Sequence, residues 1–334
     1  MEFERREEHK RNEKLEEILK DINGMLAPVE SQSIQSFKKN KYPIVLIMGS
    51  PRSGTTLLLQ WLASSGYFCY PTNMLSRFYE FPYIGSKIQL MLTKYDFNNE
   101  IFDFKEEIPF DSNLGKTKGA LAPNEFWYFW RRFFHFGEIQ QLNEEELASI
   151  DHQKFVSELA AIEAVFDKPF SMKGLIVNWN IPFITSIVEK VLFIYIKRHP
   201  FYNIQSLLNA RINYYDDIKA WYSFKPPEYV DLKNCSPYEQ VAGQVYFTNR
   251  AIEEGLARVE DAKVLEIAYE EFCQSPDLVF KQIINKFKLQ GYQADWPYKG
   301  PARFSNTNKI SLSCEEQEKV MNAYRHFSGE TLTL

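Results

Sequence analysis

Two short apolar runs in the chain have the pattern of strands that are buried on both faces of a parallel sheet. Residues 44–48 and 191–196 contain no charged side chain, whereas a strand with one face in water alternates apolar and polar positions. Weaker apolar runs at 170–175 and 263–268 predict two further strands.

Helical segments alternate with these strands. Residues 55–65 follow the first strand and have helical character, and segments at 181–190, from about 202 onward and at 275–288 follow the others. A short run at 67–70 is a candidate for one more strand. Strands that alternate with helices predict an α/β fold, in which helices cover both faces of a central parallel sheet as a three-layer structure.

The chain divides at about residue 40 into a charged N-terminal part and one large domain. In residues 1–40, apolar side chains recur at the spacing of one helical face, at Leu15, Ile18, Leu19, Ile22 and Leu26. This pattern predicts a helix and a linker. The helix either packs on the domain surface or pairs with a second copy in a homo-oligomer. Residues 41–334 form the domain, with a helical, aromatic-rich insertion at 71–150.

Charge and composition narrow the function classes. The chain has 39 Lys and Arg against 44 Asp and Glu, a formal charge of −5. Such a protein is not suited to general nucleic-acid binding, so a bound polyanion would require a local basic pocket.

Isolated cysteines predict reduced thiols and no metal site: Cys69, Cys235, Cys273 and Cys314. No apolar run is long enough for a transmembrane segment, and we expect a soluble, cytoplasmic protein.

The segment GSPRSGTT at 49–56 lies between the first buried strand and a helix. At a helix N-terminus the unpaired backbone N–H groups and the helix dipole favour an anion. The glycines allow close approach of the backbone, and Arg52 adds a fixed positive charge. The segment therefore predicts a phosphate-binding loop.

This loop differs from the Walker A motif of kinases and ATPases. That motif reads GxxxxGK[ST], and Thr55 occupies the position of its lysine. The lysine binds the β- and γ-phosphates of ATP, so its absence disfavours a nucleoside-triphosphate enzyme.

The sequence PRSGTT after a buried strand resembles the 5′-phosphosulfate loop of sulfotransferases that depend on 3′-phosphoadenosine 5′-phosphosulfate (PAPS). The resemblance implies a P-loop-like fold, in which the 5′-phosphate is held by Arg52, Ser53, Gly54, Thr55 and Thr56. It also implies that Arg52 stabilises charge on the leaving product, 3′-phosphoadenosine 5′-phosphate (PAP).

A second phosphate motif occurs at the end of the 191–196 strand. Arg198 follows this strand and Ser206 lies eight residues later in the next helix, where a guanidinium and a hydroxyl can converge on one phosphate. The same pair resembles the 3′-phosphate site of the family. Near the C-terminus, Lys299, Gly300 and Arg303 resemble the family's basic loop over that phosphate.

Sulfuryl transfer needs positioning, a cation and a base for the acceptor proton. Arg52 and Lys173 are the candidate cations, and Lys173 lies in a strand that resembles the family's catalytic lysine strand. In one branch of the family the base is a histidine, and Leu175 stands at that position here. The base is therefore open between Glu80, Glu125 and His135, with a slight preference for Glu125.

We therefore expect a PAPS-dependent sulfotransferase that acts on a hydroxyl without a metal. Leu57 stands where the family often has a tryptophan, so another aromatic side chain would have to stack on the adenine. The insertion at 71–150 predicts an apolar or ring-bearing acceptor, such as a small metabolite, a lipid or a glycan. Two alternatives are a P-loop nucleotide kinase-like phosphotransferase and a non-catalytic nucleotide-binding homologue.

Overall fold

A four-stranded parallel sheet forms the centre of the protein in a computed structural model that describes residues 3–96, 98, 108 and 110–334. The order of the strands across the sheet is β2-β1-β3-β4, and all neighbours are parallel. The strands are β1 Ile44–Met48, β2 Ser171–Lys173, β3 Val191–Lys197 and β4 Val264–Ala268. The predicted α/β fold is confirmed. Part of the predicted insertion, at 97, 99–107 and 109, lies outside the described residues.

The continuous apolar pattern of β1 reflects burial on both faces of the sheet. Ile44, Leu46 and Met48 belong to one hydrophobic core, and Val45 and Ile47 belong to the core on the opposite face. All five are at most 1% exposed. Full burial of such a side chain contributes about 1.5–3 kcal/mol, which fixes the strand at the centre of the domain.

Helices cover both faces of the sheet. The helices of the described residues before β2 are α1 Glu13–Ser33, α2 Thr55–Ser64, α3 Pro82–Leu92, α4 Trp127–Phe133, α5 Glu144–Ala148 and α6 His152–Phe166. Those after β2 are α7 Ile181–Ile187, α8 Pro200–Tyr215, α9 Tyr229–Leu232, α10 Pro237–Leu256, α11 Tyr269–Gln274, α12 Pro276–Leu289 and α13 Cys314–Ser328. A third core joins α8, α10 and α13.

Two strand predictions differ from the structure. Residues 67–70 make only one isolated bridge, between Cys69 and Phe170, so they form no strand. The predicted strand at 170–175 is shorter, because β2 ends at Lys173 and a 3₁₀ turn follows at Leu175–Val177.

The predicted apolar stripe of the N-terminal helix divides between two environments. Leu19 is buried and Leu15 and Leu26 are half-buried, whereas Ile18 is 46% and Ile22 is 38% exposed. The helix therefore packs on the domain through a narrower face than the stripe implied.

Polar contacts complete the attachment of α1 to the insertion. The side chain of Asn23 accepts a hydrogen bond from the N–H of Glu80 at 2.9 Å. Glu30 accepts from the N–H groups of Tyr83 and Ile84 at 2.6 and 3.1 Å, at the start of α3. Asn23 and Glu30 are both fully buried. The carboxylate of Glu30 thus satisfies two helix N-terminal donors that have no partner within the helix.

The four cysteines form no disulfide. Across the described residues, we find no group of His, Cys, Asp and Glu side chains arranged to hold a metal ion. None of the described helices has the length and apolar character needed to cross a bilayer.

Candidate functional site

The carboxyl ends of all four strands open into one large cleft of about 2320 Å³. The loop 49–54 follows β1, Lys173 ends β2, and Arg198 and Tyr269 follow β3 and β4. Strand order reverses between β1 and β3, and ligands of open parallel sheets bind at such a point. The sheet therefore brings the two predicted phosphate motifs and the predicted catalytic lysine to one place.

The phosphate loop has a backbone that only certain residues can adopt. Gly54 has φ +106°, and a Cβ there would lie 2.5 Å from the ring of Tyr269, so glycine is required. Arg52 has φ +69°, a left-handed conformation that is rare outside glycine and typical of functional sites. Thr55 and Thr56 begin α2, and their N–H groups have no intrahelical acceptor. Arg52, Gly54, Thr55 and Thr56 all line the cleft.

Two buried asparagines fix this loop from behind. The side-chain amide of Asn203 in α8 donates to the carbonyl of Pro51 at 2.7 Å, and its oxygen accepts from the hydroxyl of Ser50 at 2.5 Å. The amide of Asn178 donates to the carbonyl of Gly49 at 3.0 Å. Both asparagines are fully buried. Neither residue could be identified from the sequence, because both contact the loop across more than a hundred positions of chain.

Ser53 differs from its neighbours in the loop. Its hydroxyl is buried, points towards the Cα of Gly49 and has no hydrogen-bond partner among the described residues. Its N–H donates to the carbonyl of Ser50 at 3.2 Å. Ser53 does not line the cleft, so its contact with a phosphate stays a prediction.

Arg198 is held at the opposite side of the loop by four neighbours. Its guanidinium donates to Asn308 at 2.8 Å, to the hydroxyl of Thr307 at 3.2 Å and to the carbonyl of Arg52 at 3.2 Å. It also lies 5.0 Å from the ring centroid of Tyr269. Sequence reasoning assigned no function to Tyr269, Thr307 or Asn308, although Tyr269 immediately follows a strand.

Arg52 connects Arg198 with Ser206. The Nε atom of Arg52 donates to the hydroxyl of Ser206 at 3.2 Å, and the carbonyl of Arg52 accepts from Arg198. Ser206 itself does not line the cleft. Burial lowers the pKa of Arg198, and the neighbouring charge of Arg52 acts in the same direction. Neither guanidinium has an ion-pair partner among the described carboxylates within 4.0 Å, so a bound anion would meet uncompensated positive charge here.

The C-terminal basic loop contributes one of its three predicted residues to the cleft. Arg303 lines it, together with the neighbouring ring of Phe304. Lys299 lies 5.9 Å from the ring centroid of Tyr67, and neither Lys299 nor Gly300 lines the cleft.

Lys173 and Glu125 form an ion pair beside the phosphate loop. The Nζ atom of Lys173 lies 2.8 Å from Oε1 of Glu125 and 2.7 Å from the hydroxyl of Thr56. Lys173 is 4% exposed, whereas Glu125 is 44% exposed towards the cleft. The carbonyl of Lys173 accepts from the indole of Trp130, which holds the strand end in place. The arrangement places a buried cation and a solvent-accessible carboxylate together.

The other two candidate bases lie elsewhere. Neither Glu80 nor His135 lines the cleft, and His135 is exposed just beyond the end of α4. Leu175, at the position of the family's histidine, does line the cleft but is 8% exposed. Of the predicted bases, the structure brings only Glu125 next to Lys173 in the described part of the chain.

One family model matches most of the chain. A family model described as Sulfotransferase family matches residues 43–294. The curated proteins include no match. Sulfotransferase STF9 from Mycobacterium avium superposes with a TM-score of 0.51 at 13% identity, covering 93% of this chain and 74% of that chain. Sulfotransferase STF1 from Mycobacterium tuberculosis H37Rv gives a TM-score of 0.49 at 12% identity, covering 92% and 82%.

At these identities the structural similarity concerns the fold alone. The match of the family model extends over most of the chain and includes the phosphate loop, Lys173, Arg198 and Ser206. The chain therefore belongs to the sulfotransferase family, whose enzymes take the sulfuryl group from PAPS.

Proposed function

We propose that this cleft transfers a sulfuryl group from PAPS to a hydroxyl of an acceptor and releases PAP. The observation that carries the proposal is the contact of Lys173 with both Glu125 and Thr56, at 2.8 and 2.7 Å. A cation, an accessible carboxylate and a phosphate-binding helix N-terminus meet there.

The residues around the loop fit the two phosphates of PAPS. Arg52, Thr55 and Thr56 would hold the 5′-phosphosulfate through the free helix N–H groups and the guanidinium. Arg198 and Ser206 would hold the 3′-phosphate, whose negative charge would compensate the guanidinium of Arg198, which lacks a carboxylate partner among the described residues.

The adenine of the donor would need an apolar side chain on which to stack. Leu57 and Phe304 both line the cleft near the phosphate loop. Phe304 packs against Phe272 at 5.4 Å and against Phe110 at 5.2 Å between ring centroids, which fixes its orientation. We propose that Phe304 supplies the stacking surface that Leu57 cannot.

In the transfer step the protein would supply a base and positive charge. The sulfuryl sulfur forms a bond with the acceptor oxygen, and the bond from sulfur to the 5′-phosphate oxygen breaks, so the electron pair leaves with PAP. Glu125 would take the proton of the acceptor hydroxyl. Lys173 and Arg52 would stabilise the negative charge that develops on the transferring group and on the leaving oxygen.

The walls beyond Glu125 are partly aromatic. Trp127, Tyr128 and Phe136 line the cleft, whereas Phe126 and Phe129 are fully buried in the core. Of the insertion's described rings, a minority therefore face the cleft, and they support an acceptor that contains a ring. The cytoplasmic location and the homo-oligomer remain predictions.

Nucleotide titrations of the purified protein test the donor site. We expect PAP to bind at least about tenfold more tightly than ATP, and Arg198→Ala and Ser206→Ala each to weaken PAP binding by about tenfold or more. Thr307→Ala is not suitable as a control because its hydroxyl contacts Arg198, whereas Lys281→Ala removes a charge outside the cleft. Equal ATP binding that is unaffected by both substitutions would favour the kinase-like alternative.

A further inference from the structure

The described lining of the cleft is rich in cations. The chain has a net charge of −5, yet among the residues that the structure describes the lining includes thirteen Lys and Arg side chains against two Asp and Glu. The proposed donor site uses four of these cations, Arg52, Lys173, Arg198 and Arg303. The proposed transfer chemistry assigns no role to the other nine.

The N-terminal arm and the insertion bring part of this charge together around Tyr214. His9 stacks on the ring of Tyr214 at 4.3 Å between centroids, and the charges of Arg5 and Lys116 each lie 5.7 Å from its centroid. Lys116 follows Gly115, where a Cβ would lie 3.2 Å from Oε1 of Glu125. The cationic cluster thus begins next to the proposed base.

Three lysines of the segment after α8 continue the positive wall. They are Lys219, Lys225 and Lys233. Lys225 pairs with Glu138 at 2.7 Å. Among the described residues, Lys219 and Lys233 have no ion pair within 4.0 Å, and both are exposed. Like charges without counter-ions repel one another, so a bound anion would stabilise this wall.

A buried guanidinium adds to the positive field of the same wall. Arg211 is fully buried, and two of its nitrogens have no hydrogen-bond partner among the described residues. The third donates to Gln240 at 2.8 Å and to the carbonyl of Ile218 at 3.2 Å. The guanidinium lies 5.2 Å from the ring centroid of Trp221, and Trp221 and Gln240 line the cleft. A buried charge without a carboxylate is costly, and its field is weakly screened.

We propose that the acceptor is an acidic saccharide, a chain of sugar rings that carries several carboxylate or sulfate groups and offers a ring hydroxyl to Glu125. This inference rests on the proposed function and specifies its acceptor. The cations would bind the acidic groups, and Trp127 and Trp221 would pack on the sugar rings. The size of the cleft, about 2320 Å³, accommodates several rings in addition to the donor.

The test measures binding of uronate-bearing tetrasaccharides to the PAP-loaded protein by calorimetry. A panel that varies the hexosamine and the linkage is compared with carboxyl-reduced forms, which have the same rings but no charge. We expect at least one acidic member to bind about tenfold or more tightly than its neutral form, and the difference to shrink between about 50 and 200 mM salt.

Charge-removing variants locate the interaction. Lys116→Ala and Lys219→Ala remove exposed cations of the acceptor side, so folding is little affected. We expect each to weaken binding of the acidic tetrasaccharide about three- to tenfold and to leave PAP affinity within about twofold. The control Lys281→Ala, an exposed lysine outside the cleft, is expected to change neither.

The outcomes separate the two proposals. Failure of the wild-type protein to bind PAP would contradict the proposed function itself. Normal PAP binding with no acidic tetrasaccharide bound, or with the neutral forms bound equally well, would overturn only the acidic-saccharide inference. Binding of an acidic carrier protein that depends on Lys116 and Lys219, while no tetrasaccharide binds, would also overturn it.

Discussion

Phe126, the residue that follows Glu125, has an unusual backbone conformation. It has φ +56° and immediately precedes α4, and its N–H donates to the side chain of Asn124 at 2.8 Å. Its ring is fully buried and stacks on Phe129 at 4.5 Å, so packing maintains this conformation. A strained position thus lies directly beside the proposed base.

Substitution of the proposed base separates catalysis from donor binding. Glu125→Gln is expected to lower the turnover number for sulfuryl transfer by about 10²–10⁴-fold, because a neutral amide cannot accept the acceptor proton. The affinity for PAP is expected to change by less than about twofold. Rates are compared with those of Glu80→Gln, which changes the carboxylate outside the cleft and should retain wild-type turnover. Loss of turnover in Glu80→Gln, with normal turnover in Glu125→Gln, would assign the base to Glu80.

Single residues could be predicted from the sequence where the residue type and its position after a strand indicate the chemistry. Arg52, Thr55 and Arg198 follow buried strands, and the structure places them together. Asn203 and Tyr269 could not be predicted, because their contacts with the loop depend on how distant segments pack. The choice between the two glutamates also required the structure, since both lie among aromatic residues in the sequence.

Among the secondary-structure elements, α8 contributes to both proposed phosphate sites. Its first turn follows Arg198, and Asn203 and Ser206 lie on successive turns that contact the loop. Asn203 is therefore a positioning residue for the phosphate loop.

Removal of the Asn203 amide should loosen this loop. Asn203→Ala leaves the carbonyl of Pro51 and the hydroxyl of Ser50 without their buried partner, which costs about 1–3 kcal/mol of stability per unsatisfied group. We expect PAP affinity to fall about tenfold by titration at a temperature where the variant is folded. Asn209→Ala, in the same helix but with only a 3.4 Å contact to Ser311, should bind PAP normally. Equal affinities of the two variants would contradict this role.

A buried carboxylate joins α6 to the start of β1. Glu163 is 2% exposed and accepts from the N–H groups of Lys41 and Tyr42 at 2.5 and 3.2 Å. Burial raises its pKa to about 7, although the two N–H donors and the charges of Lys190 and Lys41 act in the opposite direction.

This raised pKa predicts a pH-dependent stability. The folded protein holds the proton more tightly than the unfolded chain, whose value is near 4.5, so the contribution is fully present below pH 4.5 and is lost as the pH rises through 7. The loss amounts to about 3 kcal/mol at most. Urea unfolding at several pH values should show a smaller decline between pH 5 and 7.5 in Glu163→Gln than in the wild type. An unchanged slope would contradict the assignment.

The elements were predicted best where burial is complete. Strand β1 begins and ends where the apolar run does, because both of its faces lie in cores. The strand expected at 67–70 was wrong, since that segment pairs with the sheet at one position only. Helix α3, Pro82–Leu92, was not predicted, because its aromatic surroundings obscure the helical period.

Across the whole molecule, charge is distributed unevenly between surface and cleft. From the net charge of −5 we expect that a bound polyanion would need a local basic pocket, and in the structure cations from distant segments line one cleft, which the sequence could not show. The N-terminal arm contributes Arg5, Lys10 and Arg11 to it, and is attached through Arg6, which pairs with Asp216 at 2.5 Å.

Deletion of residues 1–11 tests the contribution of this arm. The deletion leaves the N-cap Asn12 and helix α1 in place. We expect affinity for the acidic tetrasaccharide to fall by about tenfold or more, because three lining cations are lost, while PAP affinity stays within about twofold. Loss of PAP binding, or unchanged tetrasaccharide binding, would show that the arm does not act on the acceptor side.

A crystal structure of the protein in complex with PAP would test the donor site and the catalytic pair together. We expect the 5′-phosphate at Thr55 and Thr56, the 3′-phosphate between Arg198 and Ser206, and the Lys173–Glu125 pair beside the 5′ end. PAP bound in the opposite orientation, or outside this cleft, would contradict the assignment of the donor site and of the catalytic pair.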